Sequence, residues 1–167
     1  MSNAQLINQD SGNTEYYTPA EIVEMAREVM GGIDLDPFSS EQANKTVKAT
    51  YYFTKEDCSL MEDWWGRVWM NHPFGRKMNK ACVNKLVKEY RLRITLEACC
   101  ITFAATSEAW FRPLLKYPQC YIHGRTNYYL PDGTKKKGVT KGSVVTYLGP
   151  NVEKFKEVFS RIGTVKI

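Results

Sequence analysis

Apolar residues recur at helical spacing in several stretches and gather into short unbroken runs in others, a pattern that predicts alternating helices and strands. Ile22, Val23, Met25, Ala26, Val29 and Met30 share one face of a helix opened by Thr18-Pro19. Thr18 would be its N-cap, Pro19 suits the first turn, and Glu21 stands three residues on, as in a capping box. Gly31-Gly32 ends it. Further helices are predicted at Glu41 to Lys48, Lys77 to Tyr90, Ser107 to Leu115 and Val152 to Arg161. Strand patterns fall at Ile33 to Pro37, Thr50 to Thr54, Arg67 to Met70, Cys99 to Ala104, Cys120 to Ile122 and Gly163 to Ile167. In the last third, Thr126 to Leu130 and Ser143 to Leu148 flank Pro131-Asp132-Gly133 and a basic loop, which predicts an antiparallel hairpin. The whole reads as one α/β domain over residues 16–167, its sheet mostly parallel with an antiparallel C-terminal hairpin. Residues 1–15 are polar and patternless and are expected to be flexible.

Composition narrows the class. The 167 residues suffice for one domain, and 43% hydrophobic with 25% charged residues describes an ordinary globular chain. No run approaches the ~18 apolar residues of a membrane span, and no secretory leader is visible, so a cytoplasmic protein is expected. The five cysteines have no Cys-x-x-Cys spacing and only two histidines accompany them, so no metal site is expected. Cys99-Cys100 sits inside an apolar run and reads as a pair of buried thiols. With 23 basic against 18 acidic residues the net charge is +5, which favours a polyanionic partner.

Candidate chemistry concentrates in Trp69-Met70-Asn71-His72-Pro73-Phe74. A hydrophobic strand ends there in an amide, followed by a proline and an aromatic. Parallel sheets place their sites at the carboxyl ends of strands, so these side chains should line a crevice. The Asn71 amide oxygen and the His72 carbonyl can both accept hydrogen bonds from one exocyclic amine, and Phe74 can stack on the ring that carries it. Pro73 would stiffen the turn between them.

This run resembles the (Asn/Asp)-Pro-Pro-(Tyr/Phe) motif of S-adenosylmethionine-dependent amino-methyltransferases, with His72 in place of the first proline. Tyr17-Thr18-Pro19 is similar to the segment that opens adenine methyltransferase domains near the methionine end of the cofactor. Asp34-Leu35-Asp36-Pro37 resembles the acidic end of the first strand. Tyr52-Phe53-Thr54-Lys55-Glu56-Asp57 resembles the segment whose aspartate contacts the cofactor's adenine; Asp57 stands 14 residues before Asn71. Together with Trp65-Gly66-Arg67-Val68-Trp69, Gly124-Arg125 and Gly142-Ser143-Val144-Val145, these motifs resemble the small phage-type DNA N6-adenine methyltransferases over about Glu15 to Val165.

The resemblance implies a Rossmann-like class I methyltransferase fold, reduced in size, that moves a methyl group from S-adenosylmethionine to N6 of a flipped adenine in duplex DNA. It implies Asn71, His72, Pro73 and Phe74 as the catalytic turn, and Thr18, Pro19, Asp36 and Asp57 as cofactor contacts. Two alignments of the acidic strand remain open: Asp36 facing the methionine end, which is favoured, or Asp34 holding the ribose hydroxyls. Asn44 is unassigned, and Asp36 and Asp57 each also fit a capping role, Asp57 at the turn Cys58-Ser59. The usual glycine-rich loop is absent, Asp36-Pro37-Phe38-Ser39-Ser40 standing there instead. Arg76, Lys77, Arg125, Lys135, Lys136 and Lys137 are the expected DNA contacts. RNA or protein glutamine as acceptor, and a catalytically silent nucleic-acid-binding relic, are the rival readings.

Overall fold

The computed structural model describes residues 16–167. The segment expected to be flexible, residues 1–15, lies outside them. Among the described residues no helix is long and apolar enough to cross a membrane.

The first helix, α1 (Ala20–Met30), buries the face its sequence marks out, Ile22, Val23, Met25, Ala26, Val29 and Met30. Gly31 closes it in the left-handed conformation at φ 76°, its N–H bonded to the Arg27 carbonyl at 2.8 Å. The start differs from expectation. Pro19 occupies the N-cap with φ −52° and ψ 138°, and no side chain caps the helix. That extended residue carries Thr18 away from the first turn, and Glu21 stays exposed, so no capping box forms.

Seven strands follow in the sheet order β2-β1-β3-β4-β6-β5-β7. They are β1 (Leu35–Asp36), β2 (Tyr51–Tyr52), β3 (Gly66–Met70), β4 (Thr95–Phe103), β5 (Gln119–Ile122), β6 (Ser143–Leu148) and β7 (Gly163–Lys166). β2, β1, β3 and β4 run parallel, while β6 is antiparallel to both β4 and β5, and β7 to β5. Five of the seven strands therefore share one direction, the mixed, mostly parallel α/β sheet that the pattern predicts.

β4 shows why the sheet is central. Its residues are buried from Glu97 to Thr102, and alternate side chains enter opposite cores. Cys99 and Ile101 join Trp69, Tyr147, Phe155 and α1, while Ala98 and Cys100 join Trp64, Val68, Met70 and Leu86. The second core is closed by α3 (Arg76–Arg91) and the first by α1 and α4 (Val152–Phe159); α2 (Glu41–Val47) connects β1 to β2. The thiols of Cys82, Cys100 and Cys120 are buried and pushed up to about 12 by that burial, as inert structural cysteines should be.

Two expected elements are absent. Ser107 to Leu115 is a succession of turns ending in the 3₁₀ segment Arg112–Lys116. Pro113 has no N–H and its ring obstructs an α-helical ladder, so the chain takes i to i+3 bonds instead, among them Phe111 N–H to the Glu108 carbonyl and Leu114 N–H to the Phe111 carbonyl. Thr126 to Leu130 likewise does not pair with β6. Both edges of β6 are occupied, by β4 and β5, so no hairpin can form there. The segment crosses the strand ends and pairs through Tyr129 with Tyr17 and Lys135. The turn at Pro131-Asp132-Gly133 does form, with Asp132 accepting from the Thr134 amide at 2.9 Å.

Candidate active site

The parallel strands deliver their carboxyl ends to one side of the sheet, and two cavities open there. The first, about 570 Å³, has Thr18, Asp36, Asp57, Asn71, His72 and Pro73 in its walls. The second, about 730 Å³, is bounded by Phe74, Arg76, Phe103, Tyr128, Lys136 and Lys141. Tyr16 lines both. The turn after β3 is thus divided: its first three residues face one cavity and Phe74 faces the other.

Asn71 is in the wall of the first cavity, bonded to Tyr16, which lines both. Its Nδ2 donates to the main-chain carbonyl of Tyr16 at 2.6 Å. A carbonyl can only accept, so the nitrogen is fixed on that side and Oδ1 is turned away from it, free to accept from a ligand. His72 is 1% exposed and bonds through Nε2 to Asn79 Oδ1 at 2.7 Å. Since an amide oxygen accepts, Nε2 carries the proton, and the buried Nδ1 has no partner. Burial lowers the His72 pKa from its usual value, opposed by the Asn79 bond, so the ring is held neutral. His72 ties the turn to α3, supplying by a hydrogen bond the rigidity a second proline would have given by its ring.

Phe74 is embedded among aromatics. Its ring stacks on Phe103 at 4.5 Å between centroids and on Tyr16 at 5.6 Å, with Tyr128 edge-on at 6.0 Å.

Asp36, the last residue of β1, is 2% exposed; its Oδ1 accepts from the Phe38 amide at 3.0 Å. Burial pushes this carboxyl up to about 7, against the lowering effect of the Phe38 and Ser39 hydrogen bonds. Asp34 is elsewhere. Its carboxylate receives the Arg67 guanidinium bidentately, Nε at 2.9 Å and Nη2 at 2.9 Å, and the Arg67 amide at 2.8 Å. The guanidinium bonds hold its pKa below the usual carboxylate value. With its oxygens so engaged and outside the cavity walls, Asp34 is a structural residue, and the alternative alignment has no support in the fold. Asn44 is structural too, bonding both the Ala49 amide and carbonyl.

Asp57 is exposed on the cavity wall and accepts from the Thr54 amide at 2.7 Å and its hydroxyl at 3.1 Å, so it caps the turn that precedes it and not the one expected at Cys58-Ser59. The Thr18 hydroxyl is buried without a partner at the first cavity. Pro19 only caps α1 and is not part of the wall.

Of the basic residues, Arg76 and Lys136 border the second cavity. The Lys136 ammonium lies 5.7 Å from the Tyr16 ring, and Lys141 sits 5.5 Å from Phe103. Lys77, Arg125, Lys135 and Lys137 are exposed and are not in its wall, though the Arg125 guanidinium lies near Gly142, which is. Tyr16, Phe103, Tyr128 and Asn79 escaped sequence reasoning. The one signal for Tyr16 is its place beside Tyr17-Thr18-Pro19; nothing local marks Asn79.

Among the described residues no three or more His, Cys, Asp or Glu side chains gather as metal ligands. A model of the family described as DNA N-6-adenine-methyltransferase (Dam) matches residues 7–165. No individual curated protein matches the chain at a comparable level. The family match takes in both cavities and the Asn71-His72-Pro73-Phe74 turn, and the protein belongs to the DNA N-6-adenine-methyltransferase (Dam) family.

Proposed function

We propose that the protein transfers a methyl group from S-adenosylmethionine to N6 of an adenine rotated out of duplex DNA, with the cofactor in the first cavity and the base against Phe74 in the second. The observation that carries this is the anchoring of Asn71 Nδ2 on the carbonyl of Tyr16, a residue that lines both cavities, which leaves Oδ1 as an acceptor in the first.

The first cavity suits the cofactor in size, within the ~300–1,000 Å³ usual for small-molecule sites. It also suits it chemically. Among the described residues Thr18 Oγ1 is a buried polar atom in want of a partner and Asp36 a buried carboxyl with no cation beside it, so an ammonium-bearing ligand would complement both. Asp57 lies on the same wall, at the position the family resemblance assigns to the adenine end.

When bound, the cofactor supplies a methyl group on a sulfonium, electrophilic enough that no protein nucleophile is required. The protein's task is placement. Asn71 Oδ1 and the His72 carbonyl accept the two N6 hydrogens and so direct the nitrogen lone pair toward the first cavity. Phe74 supports the ring, offsetting part of the few kcal/mol that extruding a base from the stack costs. Arg76, Lys77, Arg125 and Lys135 to Lys137 surround the second cavity and hold phosphates, and the loop over residues 123–142 is the segment placed to choose among sequences.

The test is methyl incorporation from labelled S-adenosylmethionine into duplex DNA, with RNA and a protein extract as competing acceptors. Wild type is expected to label DNA, and Asn71→Ala to reduce labelling at least 100-fold while cofactor affinity by calorimetry changes less than threefold. Robust labelling by Asn71→Ala overturns the site, preferential labelling of RNA or protein overturns the acceptor, and no cofactor binding favours the silent relic.

A further inference from the structure

Phe74 is the surface on which the target base should stack, yet two aromatic rings already stack on it. Phe103 lies at 4.5 Å and Tyr16 at 5.6 Å, the two contacts inclined by only 29° and 30°. A base held between two rings needs them about 7 Å apart, twice the ~3.5 Å contact distance of carbon atoms. The Tyr16 and Phe74 rings are closer than that, at 5.6 Å between centroids.

The main chain at Tyr16 is not available to move. Its carbonyl holds Asn71 Nδ2 at 2.6 Å, and the next residue, Tyr17, exchanges two hydrogen bonds with Tyr129, at 2.7 and 2.9 Å. What can move is the ring, which is only half-buried, borders both cavities, and touches Tyr128 at 6.2 Å and the Lys136 ammonium at 5.7 Å.

We propose that Tyr16 is a further substrate-positioning residue: its ring leans on Phe74 when no base is present, and swings out on a fixed backbone to become the second face of the slot that holds the target base. The same residue then aligns both partners of the transfer. Its carbonyl orients the Asn71 amide, and its ring fixes the plane of the base whose amine that amide receives. This rests on the reading in which the base leaves the duplex and stacks on Phe74. Loss of one stacking partner costs roughly 5- to 100-fold, from the ~1–3 kcal/mol attributed to a base–aromatic stack.

The experiment uses duplex DNA carrying 2-aminopurine at a target adenine mapped by sequencing methylated DNA. Emission on binding and steady-state kinetics are compared for wild type, Tyr16→Leu, Tyr16→Ala and Tyr16→Phe. Wild type should give a rise in emission that is partly quenched by stacking. Tyr16→Leu, which fills the space without a π face, and Tyr16→Ala should each give a brighter signal, kcat at least tenfold lower, and cofactor affinity within threefold of wild type. Tyr16→Phe should recover kcat to within threefold. If wild-type binding raises no emission, the base-extrusion reading fails and the slot with it. If wild type responds but Tyr16→Leu matches it in emission and kcat, or loses cofactor affinity and turnover together, extrusion stands and the role of Tyr16 falls.

Discussion

His72 is the residue at which this chain departs most visibly from the motif it otherwise follows, and its surroundings explain how the departure is accommodated. The neutral ring donates from Nε2 to Asn79 Oδ1 at 2.7 Å, across seven residues, so the turn after β3 is fastened to the first turns of α3. In the proposed reaction this bond makes His72 a positioning residue. Asn79→Leu, which removes the acceptor and retains bulk, should leave cofactor affinity within threefold and lower kcat about tenfold, since small misplacements of a reacting pair are expensive. Steady-state kinetics beside calorimetry will show this; an unchanged kcat would mean that packing of the ring alone holds the turn. At this scale the sequence was informative where chemistry is local. Asn71, Asp36 and Asp57 announce themselves through their neighbours, and each lies on the first cavity. Tyr16 did not, because its role depends on a contact with Asn71 that spans 55 positions. Asp34 and Asp36 looked equivalent in the chain, and only Arg67, coming from β3, separates a paired structural carboxylate from a buried unpaired one.

The elements were legible wherever burial alone determines them. α1 and α3 have faces that admit one arrangement and occur close to their expected bounds, while the strand through Cys99 and Cys100 begins four residues before its expected start, at Thr95. The two failures have a common cause: a local pattern gives no account of what the rest of the sheet has already claimed, or of a missing donor. Residues 126–130 are good strand material, but β6 had no free edge to offer them. Pro113 turned a helical pattern into 3₁₀ turns. The first failure matters for function, because the released segment pairs with Tyr17 and Lys135 and is followed by Lys136, which lines the second cavity. Lys135 and Lys137 are exposed, and their charges have phosphate as the natural partner. Replacing both by alanine should reduce the slope of log K against log salt by about 2, at roughly 0.9 per phosphate contact in duplex DNA. Weakening should be similar for all duplex sequences, since phosphate contacts do not specify. Binding isotherms at several salt concentrations test this, and an unchanged slope would remove the loop from the interface.

For the molecule as a whole, the position of Asp36 sets stability against function. Burial raises its carboxyl to about 7 from an ordinary value near 3.8. Between those two values the folded protein holds a proton that the unfolded chain has released, so folding is favoured by acid and stability falls as pH rises through this window. His72, lowered by burial, works in the opposite sense, but only below its unfolded value of about 6.5, where the unfolded chain gains a proton the folded one resists. Asp34, held low by Arg67, loses its contribution only in stronger acid. From pH 8 to 6.5, therefore, Asp36 contributes most, with a smaller effect of the same sign from the buried thiols of Cys82, Cys100 and Cys120, and stability should increase by about 1 kcal/mol on acidification, a few degrees in Tm for a chain of this size. Asp36→Asn keeps an acceptor for the Phe38 amide and removes the buried charge. It should melt higher than wild type at pH 8, by at most about 4 kcal/mol at ~1.4 kcal/mol per unit, and show only the smaller thiol trend down to pH 6.5. Cofactor affinity should run the other way, because a cationic ligand selects the ionised carboxylate. Wild type should bind about tenfold more weakly at pH 6 than at pH 8 and release a proton on binding near neutrality, whereas Asp36→Asn should bind at least tenfold more weakly than wild type at pH 8 and without that pH dependence. Melting curves and calorimetry in buffers of different ionisation enthalpy measure both halves. A wild-type Tm that is flat from pH 8 to 6.5 would show the carboxyl to be ionised throughout, and a variant that is more stable yet binds as well as wild type would move the cofactor's cationic end away from β1.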